Sequence, residues 1–399
     1  MEHYTNYGSL PDKETFLNEF PDFDLIDVHE PDKYLIETLQ EQYVYSQMVP
    51  FVRKVADMVV ENAQEAASYV LLESERIAKL RANYNVGYDL VKNSDDRAAE
   101  YKFRLEAEGL LGIASSIAEL DTITHGWLKE DFIVIVGRTS EGKTWVLLFF
   151  LIMAWKMGVK VLLYSGEMSK MLVGFRFDTI NSNFSNDGLM GGLAHLGTVD
   201  VPKSPDDYFG YLSILSKQDC SPFIVVTPKD IGGVRLTIPI LHSLIEQHNP
   251  GIVGVDQLSL MSDYRASKGD MERIKFTHIS EDLYLTSEKY GIPILSPAQS
   301  NRVSADKTKD KTDEATPELH EISESDGVPQ NATRVIAIKQ MGSTMKLAVK
   351  KNRYGKDNQE IMLLWDIDKG IVKPFLHVST DKKGKAKDVK KITDGEDLF

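Results

Sequence analysis

With 399 residues, 42% of them hydrophobic and 27% charged, the chain has the composition of an ordinary soluble globular protein, long enough for one large domain and a smaller one. Its formal charge of −14 excludes wholesale coating of nucleic acid or anionic membrane, while leaving room for a local basic channel. The lone Cys220 excludes a disulfide framework or a cysteine-cluster zinc site, and the nine histidines show no ligand spacing. No apolar run reaches membrane-spanning length, and MEHYTNYGSL lacks a basic stretch followed by an apolar one, so a cytoplasmic protein without a membrane partner is expected.

Residues 1–85 read as a small all-α N-terminal region, a collar or hairpin. PDKETFLNEF opens a helix with Pro11 and Asp12 at its start. EPDKYLIETLQEQYVYSQMVPFVRKVADMVV predicts long amphipathic segments interrupted at Pro50, and NAQEAASYVLLESERIAKL a further helix capped by Asn62. Their apolar surface fits either packing on the same chain or burial against another subunit. Residues 86–109 contain NSDDRAAEYKFRLEAEG, a charged linker helix with Asn93 or Ser94 as cap, acids in its first turn and Gly109 as terminator. Such a helix suits a connector that docks elsewhere better than a core element.

From 110 to 376 the pattern becomes α/β. FIVIVG, VKVLLYSG, FIVVTP, GIVGVD and IPILSPAQ are apolar runs separated by helix-length segments, which predicts a mostly parallel central sheet covered on both faces. RVIAIKQ, KLAVKKN and IMLLWD lie close together and predict an antiparallel meander at one edge. Residues 377–399 are polar and charge-rich and read as a disordered tail, whose DGEDLF end is either inert or a short docking motif.

The strongest chemical signal is GRTSEGKT, residues 137–144, between an apolar strand and an apolar helix. Gly137, Arg138, Thr139, Ser140, Glu141, Gly142, Lys143 and Thr144 satisfy the P-loop spacing, in which backbone N–H groups close around phosphates at a helix N-terminus. Lys143 is expected to reach the β- and γ-phosphates of ATP, and Thr144 to ligate Mg2+. Asp256, at the end of GIVGVD, is the expected second metal-supporting residue. The residue after it is Gln257, a poor base, so the carboxylate that activates water must come from another strand end. VKVLLYSGEMSK delivers Glu167 there, where it either acts on water or simply favours the start of the next helix; both can hold. IPILSPAQSNR places Gln299 at a third strand end, as a γ-phosphate contact or a local turn residue.

GLLGIASSIAELDTITHGWLKEDFIVIVGRTSEGKTW, LLYSGEMSK, GIVGVDQLSLMS and IPILSPAQSNR, in that order, resemble the successive motifs of DnaB-type replicative DNA helicases, RecA-like P-loop ATPases of bacteria and their phages. The resemblance covers roughly residues 110–375. GEM corresponds to the family's LEM, which implies that Glu167 is catalytic, and VDQLSLM departs from the family's VDYLQLM by placing Gln257 at the Tyr position. KLAVKKNRYG is similar to the family's KxRxG segment, which implies that Lys351 and Arg353 reach the γ-phosphate held by a neighbouring subunit; by itself the segment also reads as a solvated basic turn.

The resemblance further implies a ring, a homo-hexamer, that translocates 5′ to 3′ on single-stranded DNA, unwinds duplex at a fork, and works with a primase and a helicase loader. Ser323 stands where the family often has the Arg of an Arg-Glu-Ser-Gly segment, with Glu324 and Ser325 kept as candidate DNA contacts. Arg302, Lys307 and Lys309, with Lys311, and the DYRASKGDMER stretch are further candidates for tracking phosphates, or plain surface loops. The N-terminal region resembles only part of the family's collar, which implies a shortened or missing globular helical head with the hairpin and linker helix kept. Two rivals share the core: a recombinase or regulatory ATPase without unwinding, and an ATP-binding scaffold or loader with little turnover.

Overall fold

A computed structural model describes residues 12–21, 32–63, 65–67, 69–70, 73–74, 77, 88–198, 200–266, 271–300, 316–322 and 327–374. The chain divides into two compact units, Met1–Arg97 and Ala98–Phe399.

In the first unit, α1 (Lys13–Glu19) is capped by Asp12, whose carboxylate accepts from the Thr15 N–H at 2.7 Å. Helix α2 (Asp32–Glu61) runs unbroken through Pro50, where the sequence predicts an interruption. Proline removes one ladder hydrogen bond and crowds the preceding turn, and thirty residues of helix absorb that local loss. Asn62 does act as a cap, its Oδ1 accepting from the Glu65 N–H at 3.3 Å. The charged helix α3 (Ser94–Glu106) begins in the first unit and ends in the second; it has no buried residue and exposes Tyr101, Phe103 and Leu105, and Gly109, at a φ of 90°, closes the turn after it.

The second unit continues with α4 (Ala118–Thr124), β1 (Phe132–Gly137), α5 (Lys143–Lys156), β2 (Val161–Ser165) and α6 (Lys170–Ser182). After these come α7 (Asn186–Gly191), α8 (Pro205–Leu215), β3 (Phe223–Val226), α9 (Ile238–His248), β4 (Ile252–Asp256) and α10 (Glu272–Tyr290). Last are β5 (Ile294–Gln299), α11 (Gly327–Asn331), β6 (Arg334–Met341), β7 (Thr344–Asn352), β8 (Gln359–Asp366) and β9 (Ile371–Pro374).

The nine strands of the described residues form one sheet in the order β3-β2-β4-β5-β1-β6-β7-β8-β9. The first five are parallel, as their uninterrupted apolar runs predict. β6 joins β1 in parallel and then opens the antiparallel meander through β7 and β8. The short edge strand β9 has no counterpart among the runs read from the sequence. The 377–399 tail lies outside the described residues, and among the described residues no helix is long and apolar enough to cross a membrane.

Both faces of the sheet are covered because alternate residues of each buried strand point opposite ways. Ile133 and Ile135 of β1 join one core with α5, α6 and the meander, whereas Phe132, Val134 and Val136 join another with α9 and α10. Helix α5, KTWVLLFFLIMAWK, is apolar on every side from Trp145 to Trp155, and all of these but Met153 are buried in the first core. Gly254 lets it come close: a Cβ there would sit 2.5 Å from Leu151 Cδ1 and 3.1 Å from Leu163 Cδ1. Gly254→Val is therefore expected to lower stability by about 1–3 kcal/mol through overpacking. The urea unfolding midpoint measures this, and Leu151→Ala added to the same chain should recover part of the loss.

Candidate active site

The carboxyl ends of β1, β2, β4 and β5 form one edge of the sheet, and the predicted phosphate-handling residues gather there. The loop Arg138–Gly142 leaves β1 and enters α5 through Gly142, whose φ of 84° and ψ of 21° are left-handed. Ser140 is also left-handed, at a φ of 64°. This turn is what lets the loop wrap back over the N-terminus of α5. Lys143 folds onto the loop, its Nζ donating to the carbonyls of Gly137 (3.0 Å) and Arg138 (2.9 Å).

Thr144 Oγ1 donates to Asp256 Oδ1 across 3.2 Å. Asp256 ends β4, opposite Ser165 of β2, and is only 2% exposed. Burial is the main force pushing its carboxyl up to about 6, with the Glu167 charge adding to it. The Thr144 hydrogen bond, Arg176 and Lys143 oppose the shift. Glu167 stands two residues beyond the end of β2 and is exposed. Gln299 is in register with Gly137, and its Nε2 donates to Thr139 Oγ1 at 2.8 Å. A cavity of about 400 Å³ touches Thr139, Lys143, Thr144, Glu167, Gln257 and Gln299.

These oxygen donors suit a small hard cation. Thr144 and Asp256 present adjacent oxygens, and among the described residues the buried Asp256 carboxylate has no lysine or arginine within salt-bridge distance. Mg2+ needs only one or two protein oxygens when phosphates and water complete its shell, which Thr144 and Asp256 can provide.

Sequence reasoning missed Arg176. It projects from α6 into the same cavity, with its guanidinium carbon 4.8 Å from the centre of the Trp145 ring. Burial lowers its pKa, and the charges of Asp256 and Glu167 act against that shift. The available signal was a single arginine within the otherwise apolar stretch MLVGFRF.

Lys351 and Arg353 lie at the other end of the sheet. Asn352 pairs with Arg334, which in turn pairs with Ile133 near the start of β1. From Phe132 to Gly137 the strand advances by roughly 17 Å at its usual rise per residue. Lys351 Nζ donates to the carbonyls of Pro329 and Gln330, both at 2.8 Å. Arg353 donates to the Tyr284 hydroxyl at 3.0 Å and lies over that ring. Neither side chain reaches its own chain's P-loop from there. Arg302, Lys307, Lys309, Glu324 and Ser325 lie outside the described residues, as do Lys268, Lys311 and Ser323.

Residues 112–369 match the sequence profile of the DnaB-like helicase C terminal domain. The chain belongs to this family. It is 25% identical over 331 residues to the replicative DNA helicase DnaB of Helicobacter pylori, covering 82% of this chain and 64% of that protein. It is likewise 25% identical over 227 residues to the DnaB of Geobacillus stearothermophilus, covering 56% and 46% respectively. The chain thus spans less than two thirds of the length of these curated relatives.

A solved DnaB-like replicative helicase, described with its interactions with primase, matches at a TM-score of 0.64 and 19% identity, over 86% of this chain and 78% of that one. A second solved structure, an isolated ATPase domain, matches at 0.57 and 20%, over 73% and 100%. At these identities the solved structures establish the fold alone. They bear out the RecA-like core expected for a DnaB-type chain, and the resemblance drawn from the four motifs is confirmed by the family match.

Removing the Lys143 ammonium is expected to weaken binding of a fluorescent ATP analogue at least 100-fold. Arg176→Met, which keeps bulk on Trp145 but removes the charge, is expected to weaken it by roughly tenfold. Equilibrium titration measures both, with circular dichroism confirming that each variant is folded.

Proposed function

We propose that this chain is the ATP-driven motor of a ring-shaped replicative DNA helicase, built from a helical collar (1–85), a linker helix (86–109) and a RecA-like motor (110–376). The observation that carries the proposal is the split of its chemistry between two sheet edges. Lys143, Thr144, Glu167 and Gln299 line one cavity and Asp256 is bonded to Thr144 beside it, whereas Lys351 and Arg353 lie at the far end. A chain divided in this way completes a phosphate site only by placing its far edge against the near edge of another copy. A closed ring of such heterologous contacts, a homo-hexamer, uses every site.

In this reading Lys143 exchanges its two loop carbonyls for the β- and γ-phosphates, which offer it full negative charge. Thr144 and Asp256 hold Mg2+, which neutralises phosphate charge when bound. Glu167 orients the attacking water and takes its proton. Arg176 balances the two carboxylates and faces the terminal phosphate, and Gln299 couples that phosphate to Thr139 and to the segment after β5. Arg353 and Lys351 of the neighbouring copy stabilise the charge of the transferring phosphoryl group. Single-stranded DNA threads the ring, with primase and a loader as partners, and the motor moves 5′ to 3′.

Forked duplexes carrying only a 5′ or only a 3′ loading tail test the function. The 5′-tailed fork should be unwound with ATP and magnesium, and Glu167→Gln should retain nucleotide binding while losing about 10²–10⁴-fold in turnover. DNA-stimulated hydrolysis with no unwinding from either fork would instead favour a recombinase-like ATPase.

Subunit mixing tests the shared site. Lys143→Ala and Arg353→Ala chains, each nearly inactive alone, should regain part of the wild-type ATPase when co-assembled, because some interfaces then pair an intact P-loop with an intact Arg353. No recovery in verified mixed assemblies would rule out supply in trans.

A further inference from the structure

The P-loop carries an acid where it can least be afforded. Glu141 immediately precedes Gly142 and is 8% exposed, within the turn that surrounds the phosphate site. A carboxylate buried there repels any triphosphate that the loop binds. Two contacts account for its presence. Its Oε2 accepts from the Arg138 N–H at 2.7 Å, and the Glu141 N–H reaches back to the Arg138 carbonyl at 3.3 Å, so side chain and backbone close the same turn. Its Oε1 accepts from Lys339 Nζ at 3.0 Å. Lys339 comes from β6, the strand beside β1, and both side chains are largely buried, at 14% and 10% exposed.

We propose that Lys339 is a positioning residue of the nucleotide site, whose task is to cancel the Glu141 charge and hold the P-loop turn in its phosphate-accepting shape. The inference rests on the proposed binding of ATP at this loop. Glu141 staples the turn, and Lys339 prevents the staple from opposing the ligand. The pair sits beside the site, so its influence is electrostatic and conformational, without contact to the reacting atoms. The charge effect grows with ligand charge and weakens with salt.

The test compares full-length wild type with Lys339→Met, Glu141→Gln and the double variant, titrating each with ATP and with ADP and measuring ATPase kinetics. Lys339→Met should raise KM for ATP roughly tenfold or more with a smaller change in kcat. It should weaken ATP more than ADP, and added salt should narrow the gap. Glu141→Gln alone should tighten ATP, since it leaves the lysine uncancelled. The double variant should recover most of the lost affinity, because the acid that Lys339 offsets is gone. Unchanged KM in Lys339→Met, equal weakening of ATP and ADP, or a double variant no better than Lys339→Met would each overturn the inference. Failure of the wild type to bind ATP would instead remove the functional reading beneath it.

Discussion

The register that seats β1 between β5 and β6 is the constraint on which both ends of the molecule depend. It sets Gly137 beside Gln299 at one edge and Ile133 beside Arg334 at the other. A buried charge network holds the second edge. Arg334 and Asp131 are both fully buried and lie 3.2 Å apart. The Asp131 carboxylate also accepts from Thr333 Oγ1 at 2.8 Å and the Leu128 N–H at 2.7 Å, while Arg334 donates to the Gly126 carbonyl. Burial nonetheless leaves the Asp131 carboxyl raised and the Arg334 guanidinium lowered, with each partner's charge opposing the other's shift. Slipping β6 by one residue turns Arg334 away from its partner and reverses the faces of every residue after it. Such a slip would leave both charges buried and unpaired.

From that register the geometry of the proposed site follows. Parallel strands start together and end together, so residues just past their carboxyl ends come near one another without any contact between them in sequence. Asp256 and Ser165 are partners in the ladder, and the Gly166 N–H donates to the Asp256 carbonyl at 2.7 Å. This holds the segment bearing Glu167 against the strand bearing Asp256. The close approach of α5 at Gly254 sets the depth at which Thr144 meets Asp256.

What could be read from the sequence shares one property: it was local. Apolar runs marked β1 to β8, and the residues ending those runs, Gly137, Glu167, Asp256 and Gln299, could be assigned to one edge because parallel strands deliver their ends together. Asn62 and Gly109 were legible because capping and left-handed turns depend on near neighbours. Arg176 and Lys339 were not, since each enters the site from an element whose rotation and neighbours are decided by tertiary packing. Pro50 misled for the opposite reason: a local rule predicted a break that a long helix absorbs. Strand β9 is four residues long at an edge, too short for a distinct pattern.

Charge gives a further reason for the two-edged arrangement. Around the cavity Lys143 and Arg176 face Asp256 and Glu167, and Lys339 cancels Glu141, so the near edge is balanced by its own side chains. A magnesium-bound triphosphate adds about two negative charges to that balance. Among the described residues that touch the cavity the cations are Lys143 and Arg176, which would then have to serve carboxylates and phosphates alike. Lys351 and Arg353 supply two positive charges, yet the register holds them a strand's length away. Lys351 is spent on two carbonyls and shows a lowered pKa from burial, with the Arg353 charge contributing. Arg353 rests on Tyr284, whose hydroxyl donates to Glu288. These direct partners are neutral, with the Asp131 charge acting on Arg353 from further away, and a phosphate in contact offers both cations a stronger partner. On the proposed reading, an isolated chain would have a phosphate site short of positive charge and two cations without a phosphate. Apposing two copies would correct both deficits at once, and loss of the γ-phosphate would remove the anion that draws the two edges together.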